Sequence, residues 1–398
     1  MNRRSFFKSL MALYMTKASA AKASDFHFPL PIAAVAAIPN SILPTSFDQE
    51  DDSYGHTVIK IIGIGGAGCN AIEHAMQEGI RGVDFIAANT DAHALNRSLA
   101  STKLLFGKTD LGAGALPEAG REAVDAHRED IRACLRGTHM AFIMAGMGGG
   151  TGSHVAPVVA EIAREMGILT IGVVTKPFSF EGAERMKSAV AGIAKMEKHV
   201  DSLVVIQNDK LLDVIGDDVD VDDCFKAADD VLKNAVGGIA EIITCQGLVA
   251  VDFEDVRTVM GEMGRAKMGS AAAAGVGRAR IAAEQAVASP LLEGVNLSGA
   301  KAVLVNITAA KGGLKMKEVS EVMNTVKTLA AEDTQIIFGA VYDEQMGEAL
   351  RVTLVATGLG LTVEALSKVR RRNVTVETLA DRGIERYDIP AFLRKQDV

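Results

Sequence analysis

Apolar, β-branched runs alternate with helical patterns along the first part of the chain. Residues 58–64 form a mostly apolar run that ends in glycines, which is typical of a strand buried on both faces of a parallel sheet. A helical period follows through residues 71–78. More strands, separated by helical stretches, are predicted at 83–88, 140–145, 169–174 and 203–207. This alternation favours a doubly wound α/β domain.

The pattern changes in the second half of the chain. Residues 222–244 are helical in pattern with a Gly237-Gly238 interruption, and this long helix is predicted to close the first domain. Beyond it, a helix is predicted at 316–331, and strands are predicted at 301–308, 335–342 and 350–357. Three strands and few helices favour a smaller α+β domain.

The first 56 residues share neither pattern. Residues 2–8 (NRRSFFK) resemble a twin-arginine export signal, but the apolar stretch after them is only about ten residues long and Lys17 interrupts it. A Pro- and Ala-rich segment and the acidic run 48–52 come next. We expect a disordered extension or a start codon assigned too far upstream. An export signal and a binding arm are the alternatives.

Composition excludes several classes of protein. The 398-residue chain has a net charge of −8, so no global basic field favours nucleic acid. No uninterrupted apolar run approaches the roughly 20 residues that a membrane helix needs. The four cysteines include no C-x-x-C pair, which argues against a disulfide scaffold or a zinc ribbon and is typical of a reducing compartment.

Glycine-rich turns follow two of the predicted strands. Residues 63–68 match G-x-G-x-x-G, but the ribose-binding acid of a dinucleotide site belongs at the end of the next strand, and Asp84 lies at its start. A second cluster spans 146–153, and a third turn at 112–115 could cover a terminal phosphate. No G-x-x-x-x-G-K-[ST] is present. Each turn alone could be a packing feature, but together their amides and helix dipoles can wrap a phosphate chain from two sides.

These turns belong to a set of motifs that resembles the FtsZ family, the bacterial division GTPases related to tubulin. The similarity runs from about residue 57 to 362 and resumes in the last dozen residues. The motifs that carry it are GGGTG at 148–152, NTD at 89–91, TKPFSFEG at 175–182, NDKLL at 208–212 and VDFEDVR at 251–257.

The resemblance implies a tubulin/FtsZ-like fold, in which a doubly wound parallel-sheet GTPase domain is joined by a long central helix to a smaller α+β domain. The corresponding boundaries are 1–56 for the extension, 57–222 for the GTP-binding domain, 223–244 for the central helix, 245–362 for the C-terminal domain with its catalytic acidic loop, 363–386 for a linker and 387–398 for a tail peptide.

The resemblance also implies a site for GTP or GDP. The residues that would hold the phosphates are Gly66, Ala67, Gly68, Cys69 and Asn70 on one side and Gly150, Thr151 and Gly152 on the other. Glu181 would accept hydrogen bonds from the ribose, and Arg185 would reach ribose or phosphate. Phe225 would stack on the base. The Asp229 carboxylate would accept guanine N1–H and N2–H and reject adenine, whose N1 is an acceptor. By spacing alone, Phe225 could be a core residue and Asp229 part of a solvated helix face.

Asp252 and Asp255 follow the long helix as a D-x-x-D pair. Two such carboxylates can polarise an attacking water or recruit a cation, although helix capping is the commoner role of this pattern. The base-binding residues lie near the start of that helix, roughly 30 Å away at 1.5 Å per residue. If both sets act in one reaction, the acids of one subunit must complete the phosphate site of the next. Such head-to-tail contacts build filaments, and the resemblance implies the same mechanism, with Mg²⁺ on the phosphates and no all-protein metal cage.

Residues 388–396 (DIPAFLRKQ) combine apolar anchors with basic residues. On pattern alone this is a short linear motif or a frayed end. By resemblance it would dock a membrane-tethering partner of the FtsA or ZipA type, with Ile389, Phe392 and Leu393 as helix-in-groove anchors. The protein would then lie in the cytoplasm, at the midcell division site.

Four features depart from the family pattern. They are His154 in place of the last glycine of GGGTGTG, Leu116 in place of an asparagine before Pro117, a linker of about 20 residues, and the N-terminal extension. His154 could crowd the phosphates, or donate to them when protonated. The main hypothesis is therefore a polymerising GTPase that forms the division ring. The alternative is a divergent GTP-binding filament subunit or modulator with little hydrolysis. An NAD-type oxidoreductase is disfavoured, because we find no hydride-transfer residue.

Overall fold

The computed structural model describes residues 57–107, 124–216, 219–244, 248–249, 251–261, 264–289, 291–292, 299–331 and 333–359. By its contacts the chain divides into Met1–His56 and Thr57–Val398, and every described residue belongs to the second unit. The predicted extension, the 112–115 turn, Leu116, the linker and the tail peptide all lie outside the described residues.

One ten-stranded sheet runs through this unit. Its strands are β1 Ile59–Ile64, β2 Asp84–Asn89, β3 Thr102–Leu105, β4 Met140–Gly146, β5 Leu169–Lys176, β6 Ser202–Gln207, β7 Gly264–Ala274, β8 Ala302–Ala309, β9 Gln335–Tyr342 and β10 Ala349–Leu359. The helices are α1 Gly65–Gln77, α2 Ala92–Arg97, α3 Arg128–Leu135, α4 Gly150–Glu165, α5 Ala183–Met196, α6 Asp209–Ile215, α7 Val221–Thr244, α8 Phe253–Met260, α9 Arg278–Val287 and α10 Met316–Leu329.

The strand order is β3-β2-β1-β4-β5-β6-β7-β10-β8-β9. From β3 to β7 every neighbouring pair is parallel, so the carboxyl ends of β1, β4, β5 and β6 meet at one edge of the sheet. β10 is antiparallel to both β7 and β8. This is the doubly wound parallel architecture that the alternating pattern predicts, extended by a mixed second part.

Helices cover both faces of the parallel strands. α1, α7 and α8 contribute to one apolar core, whereas α3, α4 and α5 contribute to a second. α9 and α10 pack in a third core over β8 and β10. The near-continuous apolar runs of the central strands follow from this arrangement, because side chains on both faces of these strands are buried.

The long helix α7 runs without a break through Gly237 and Gly238, so the glycine pair interrupts the helical pattern of the sequence but not the predicted helix itself. Both glycines are packing positions. A Cβ on Gly238 would lie 2.8 Å from Thr353 Cγ2, and a Cβ on Gly237 would lie 3.2 Å from Ile80 Cδ1. The missing side chains let α7 approach the neighbouring elements closely, which offsets the low helix propensity of glycine.

Two strands escape the sequence pattern. β3 is a four-residue edge strand, and β7 is rich in alanine and glycine, which have low strand propensity. β7 is held along most of its length by β10. Its start also pairs with β6 from Ser202↔Gly264 to Val204↔Ala266, and this short ladder joins the two parts of the sheet.

Candidate functional site

Both glycine clusters form the first turns of helices. α1 begins at Gly65, earlier than the predicted helical period at 71–78, and α4 begins at Gly150, within the glycine cluster at 146–153. Because the first turn of a helix has N–H groups with no intrahelical acceptor, Gly150, Thr151 and Gly152 present free donors at the positive end of α4. The same holds for the start of α1. Two helix N-termini thus lie at the carboxyl edge of neighbouring strands β1 and β4, and we call this pair of first turns the cradle.

Four glycines in the cradle or in the strand ends that precede it are required by close packing, Gly63 and Gly152 within one strand-to-helix turn and Gly68 and Gly146 between the two turns. A Cβ on Gly63 would overlap Gly68 O, one on Gly68 would overlap Met144 O, and one on Gly152 would overlap Gly146 O. A Cβ on Gly146 would lie 2.7 Å from the Ala67 Cβ. Gly68 and Gly152, predicted as phosphate-binding residues, therefore also hold the cradle together.

Gly66 and Gly149 differ from these packing glycines, because a Cβ at either position would meet nothing within 4 Å. Gly66, Ala67 and Asn70 are exposed. The cradle is thus open where a phosphate chain would approach the backbone, and glycine at these points leaves room for it.

Cys69 points away from the cradle. Its thiol is buried and faces Gly63 O at 3.6 Å and Ala88 O at 3.8 Å. Burial raises its pKa to about 12, so the thiol stays protonated. The predicted phosphate contact of Cys69 is therefore unavailable to its side chain.

The segment after β2 closes the cradle from the side. Thr90 Oγ1 lies 2.8 Å from Thr151 Oγ1, and the buried Asn89 Oδ1 accepts from Thr90 N–H at 2.8 Å. Asp91 caps α2 by accepting from His93 N–H and Ala94 N–H. This explains why the NTD motif accompanies the glycine turns.

His154 bends back along α4. Its Nδ1 lies 2.9 Å from Gly150 O, which requires the proton on Nδ1 because a carbonyl can only accept. The ring is thus bonded to the carbonyl of a residue whose own N–H belongs to the cradle.

Glu181 and Arg185 are paired before any ligand arrives. Glu181 Oε1 accepts from Phe178 N–H at 2.9 Å, and Glu181 Oε2 accepts from Arg185 Nη1 at 2.5 Å. Ser179 is also tied to α6, because its N–H and Oγ–H both donate to the Asp209 carboxylate. The loop after β5 is therefore fixed, and the two predicted ribose contacts lie side by side.

Phe225 lies on an aromatic cluster at the start of α7. The Phe225 ring meets the buried Phe178 edge-on at 5.5 Å, and Phe178 stacks on Phe180 at 5.0 Å. Phe225 remains 43% exposed. One edge of the ring is packed against Phe178 and the rest is accessible, so Phe225 is only partly a core residue, and its stacking on a base stays a prediction.

Asp229 is half-buried, one turn beyond Phe225. Desolvation raises the pKa of its carboxyl to about 6, with nearby Asp230 adding to the rise and His74 opposing it. His74 Nε2 lies 2.7 Å from Asp230 Oδ1 and joins α1 to α7. Asp229 is therefore not part of a solvated helix face, and burial of an acceptor suits it to a specific ligand.

The sequence reasoning missed one candidate. Asn208, at the end of β6, is 5% exposed, and its Oδ1 has no hydrogen-bond partner in the described part of the protein. A buried amide oxygen without a partner costs free energy unless a ligand or water satisfies it. The NDKLL motif contained this residue, but burial cannot be deduced from the motif.

The acidic pair lies at the opposite edge of the parallel strands. Asp252 is the N-cap of α8 and Asp255 is in its first turn, and both are exposed. The Asp252 side chain makes no capping hydrogen bond. Phe253 contacts His139, which precedes the amino end of β4, whereas the cradle begins at the carboxyl end of β4, about 20 Å away at 3.3 Å per residue.

Two kinds of feature, a membrane-spanning helix and a metal-binding cluster, are absent from the described residues. No helix among them is long and apolar enough to cross a membrane. Within the same ranges, no group of three or more His, Cys, Asp or Glu side chains is placed to hold a metal ion.

Comparisons with known proteins place relatives over most of the chain. Residues 58–216 match the GTPase domain of the Tubulin/FtsZ family, and residues 264–360 match the FtsZ family C-terminal domain. The chain is 45% identical to the cell division protein FtsZ of Neisseria meningitidis over 384 residues, covering 88% of this chain and 98% of the relative. It is 47% identical to that of Coxiella burnetii over 382 residues, covering 88% and 99%.

Solved structures give the same result. An empty FtsZ dimer from M. jannaschii superposes with a TM-score of 0.73 at 42% identity, covering 76% of this chain and 89% of that one. A GTPγS-bound CetZ2 protofilament from Haloferax volcanii, at 21% identity, gives 0.66 and covers 82% and 99%, which shows the shared fold.

Proposed function

This chain belongs to the FtsZ family, and we propose that its subunits hydrolyse GTP only where two of them meet head to tail. Membership makes it a polymerising GTPase of cell division with a tubulin-like fold. Nothing in the comparisons favours the alternative of a filament subunit with little turnover. The proposal concerns which residues act, and in which subunit.

The observation that carries the proposal is the separation of the two sites. The cradle is at the carboxyl end of β4. α8 contacts His139, which lies at the amino end of the same strand. Along the α7 axis, Phe225 and Thr244 are about 28 Å apart. Carboxylates at the start of α8, near the opposite end of β4, would not reach a phosphate in their own cradle, so in this proposal a neighbouring subunit supplies them.

Exposed apolar side chains at both poles support the same contact. Val221 is 62% exposed beside Phe225, and Leu248 is 54% exposed just before the acidic pair. Leu248 is held in place because its N–H donates to Ala340 O at 2.8 Å. Stacking subunits head to tail would bury both surfaces in one heterologous contact, which repeats without closing.

In this proposal the cradle binds the phosphates through backbone N–H groups of Gly66, Ala67, Gly150, Thr151 and Gly152. Glu181 and Arg185 bind the ribose side, and Phe225 covers the base. Asp229 accepts from guanine N1–H and N2–H, and Asn208 supplies a further acceptor. Asp252 and Asp255 of the next subunit then orient the attacking water and take up its proton.

Mg²⁺ is proposed to accompany GTP. The ion usually keeps several waters and binds substrate phosphates with few protein ligands. Asn70, exposed in the first helical turns of α1, is proposed to contact its shell of waters. The ion would offset negative charge on the phosphates.

Membrane tethering is proposed for residues 388–396. These residues lie outside the described part of the chain, and their apolar and basic composition suits docking into the groove of a tether of the FtsA or ZipA type. This would place the filaments at the midcell division site.

The test of the main proposal is GTP turnover measured against protein concentration, with sedimented protein assayed in the same samples. We expect phosphate release per subunit to be negligible below a threshold concentration and to rise together with polymer. Turnover that is proportional to protein at all concentrations, with no polymer, would contradict hydrolysis at the subunit contact.

We predict opposite behaviour for two glycine substitutions in the cradle. Gly66→Ala should leave the melting temperature of the nucleotide-free protein unchanged or slightly higher, because its Cβ meets nothing and alanine favours the helix. It should weaken GTP binding at least about tenfold, because the methyl group occupies the phosphate approach. Gly152→Ala should lower the melting temperature, because its Cβ overlaps Gly146 O. Melting curves and nucleotide titrations measure both effects. Unchanged GTP affinity in Gly66→Ala would remove the phosphates from this surface.

The pKa of Asp229 predicts that GTP affinity and stability change in opposite directions with pH. Only the ionised carboxylate accepts both guanine protons, so affinity should fall about tenfold per pH unit below about 6. The native pKa lies above the unfolded value, so the nucleotide-free protein should gain stability as the pH falls from about 6 to about 4. Both profiles should lose this component in Asp229→Asn, measured by titration calorimetry and urea unfolding.

A further inference from the structure

The start of α8 carries both proposed catalytic acids, Asp252 at the N-cap and Asp255 in the first turn, but lacks a side-chain capping hydrogen bond. Asp252 occupies the N-cap position, where an aspartate commonly accepts a backbone N–H, yet its carboxylate makes no such bond. α8 is only eight residues long, and a helix of this length depends on tertiary contacts. Its later turns have these contacts through buried Val256, Val259 and Met260.

A ring contact holds the acid-bearing turn instead. The first helical residue, Phe253, meets the His139 imidazole at 6.2 Å with an interplanar angle of 67°, an edge-to-face pair. On its own helix, Arg257 lies over the Phe253 ring at 5.1 Å. Phe253 also packs against the main core.

His139 is itself fixed by the sheet. Its backbone N–H donates to Val58 O at 3.0 Å, and its carbonyl accepts from Leu169 N–H at 3.1 Å. The Val58 N–H donates to His139 Nδ1 at 2.9 Å, so this nitrogen carries no proton in the bonded form and the ring orientation is set. The imidazole is thus a rigid support between β1 and β5, directed at α8.

We propose that His139 is a positioning residue for GTP hydrolysis. It holds the first turn of α8 through Phe253, so that Asp252 and Asp255 keep their carboxylates free of capping bonds and available to the nucleotide of the next subunit. The inference rests on the proposed function, because it needs these acids to act in trans.

Two substitutions separate the ring contact from the hydrogen bond. His139→Asn keeps an acceptor near the Nδ1 position but removes the ring, and His139→Phe keeps a ring but removes the acceptor. The matched control is His127→Ala. His127 is also a surface histidine, but its partner is the carboxylate of Asp130 on α3. The readouts for the full chain are GTP affinity, sedimented polymer, and phosphate released per polymerised subunit at saturating GTP.

For His139→Asn we expect unchanged GTP affinity and an unchanged amount of sedimented polymer. The kcat per polymerised subunit should fall about threefold to tenfold, because loss of one aromatic pair lowers the population of the ordered α8 start by this factor. His139→Phe and His127→Ala should stay within about twofold of the parent. Phe253→Leu, which removes the contact from the α8 side, should behave like His139→Asn and serves if that variant folds poorly. Amide exchange over residues 252–256 should accelerate in both low-activity variants.

The proposal is overturned if His139→Asn hydrolyses at the parental rate per polymerised subunit, or if His139→Phe is as slow as His139→Asn. Asp255→Asn in the same assay separates the two levels of inference. A fully active Asp255→Asn would remove the proposed trans site, whereas an inactive Asp255→Asn beside a fully active His139→Asn would remove only the positioning role.

Discussion

Replacing Asp255 with asparagine should lower GTP hydrolysis at least about 100-fold while GTP binding and assembly persist, because a side chain that positions or deprotonates water contributes about 10²–10⁴ in rate. Asp255 is exposed in the first turn of α8, at the far end of the parallel strands from the cradle. Its loss therefore cannot disturb the nucleotide bound by the same subunit. Phosphate release, nucleotide titration and sedimentation measure the three properties separately.

The matched control is Glu254→Gln. Glu254 lies in the same helical turn, is also exposed and undergoes the same change of charge, but only pairs with Arg257 at 3.5 Å. It should keep nearly the parental rate. If Asp255→Asn loses GTP affinity instead of turnover, or if the two variants are equally slow, the assignment of Asp255 is wrong.

Replacing Asp229 with asparagine should weaken GTP binding at least about 100-fold, since two hydrogen bonds to a charged acceptor contribute roughly 1.5 kcal/mol or more each. The asparagine NH₂ would also oppose a guanine donor. XTP should bind better than GTP to this variant, because xanthine presents a carbonyl acceptor where guanine has its amino group. Competition between the two nucleotides gives the ratio directly.

The adjacent Asp230→Asn is the control for this change. Asp230 forms ion pairs with His74 and Lys233, and it is not one of the residues proposed to bind guanine. Nucleotide preference should stay with GTP in that variant. If Asp229→Asn keeps its preference for GTP over XTP, the guanine contact lies elsewhere.

The two variants together test action in trans. Asp255→Asn has an intact nucleotide site, and Asp229→Asn has intact acids, so neither should hydrolyse GTP at an appreciable rate alone. Mixed, they should recover a fraction of the parental rate at contacts where a GTP-bearing subunit meets intact acids. Copolymers without recovered turnover would show that both sets of residues must belong to one chain.

The sequence predicted the elements whose signal is local. β1, β4 and β5 are apolar runs bounded by glycine or polar residues, and their burial on both faces follows from composition. β7 could not be found in this way, because its alanine-rich sequence becomes a strand only through the β10 ladder. The long helix α7 was predicted, but the reason for its glycine pair was not, since that reason is close packing against Ile80 and Thr353.

The features of the site likewise divide into those with a local sequence signal and those that depend on distant residues. Glycine spacing and motif resemblance predicted the cradle, but not which glycines serve packing and which leave room for a ligand. That distinction depends on the distance from Gly152 to Gly146 O and the open space at Gly66. The burial of the unpartnered Asn208 oxygen and the contact of His139 with Phe253 both depend on residues that are far apart in the chain. No local pattern records them.

The two sites also follow one another in the order of synthesis. Asp229 is the last residue along the chain that is proposed to bind GTP, and the first of the acids, Asp252, is translated after it. Consider a nascent chain or proteolytic fragment that ends between Asp229 and Asp252 and folds. In the proposed mechanism, an intact neighbouring subunit would hydrolyse the GTP bound to this fragment, but the fragment, which lacks both acids, would not hydrolyse the GTP of a neighbour. Such fragments would join a filament through one end only and would stop its growth there.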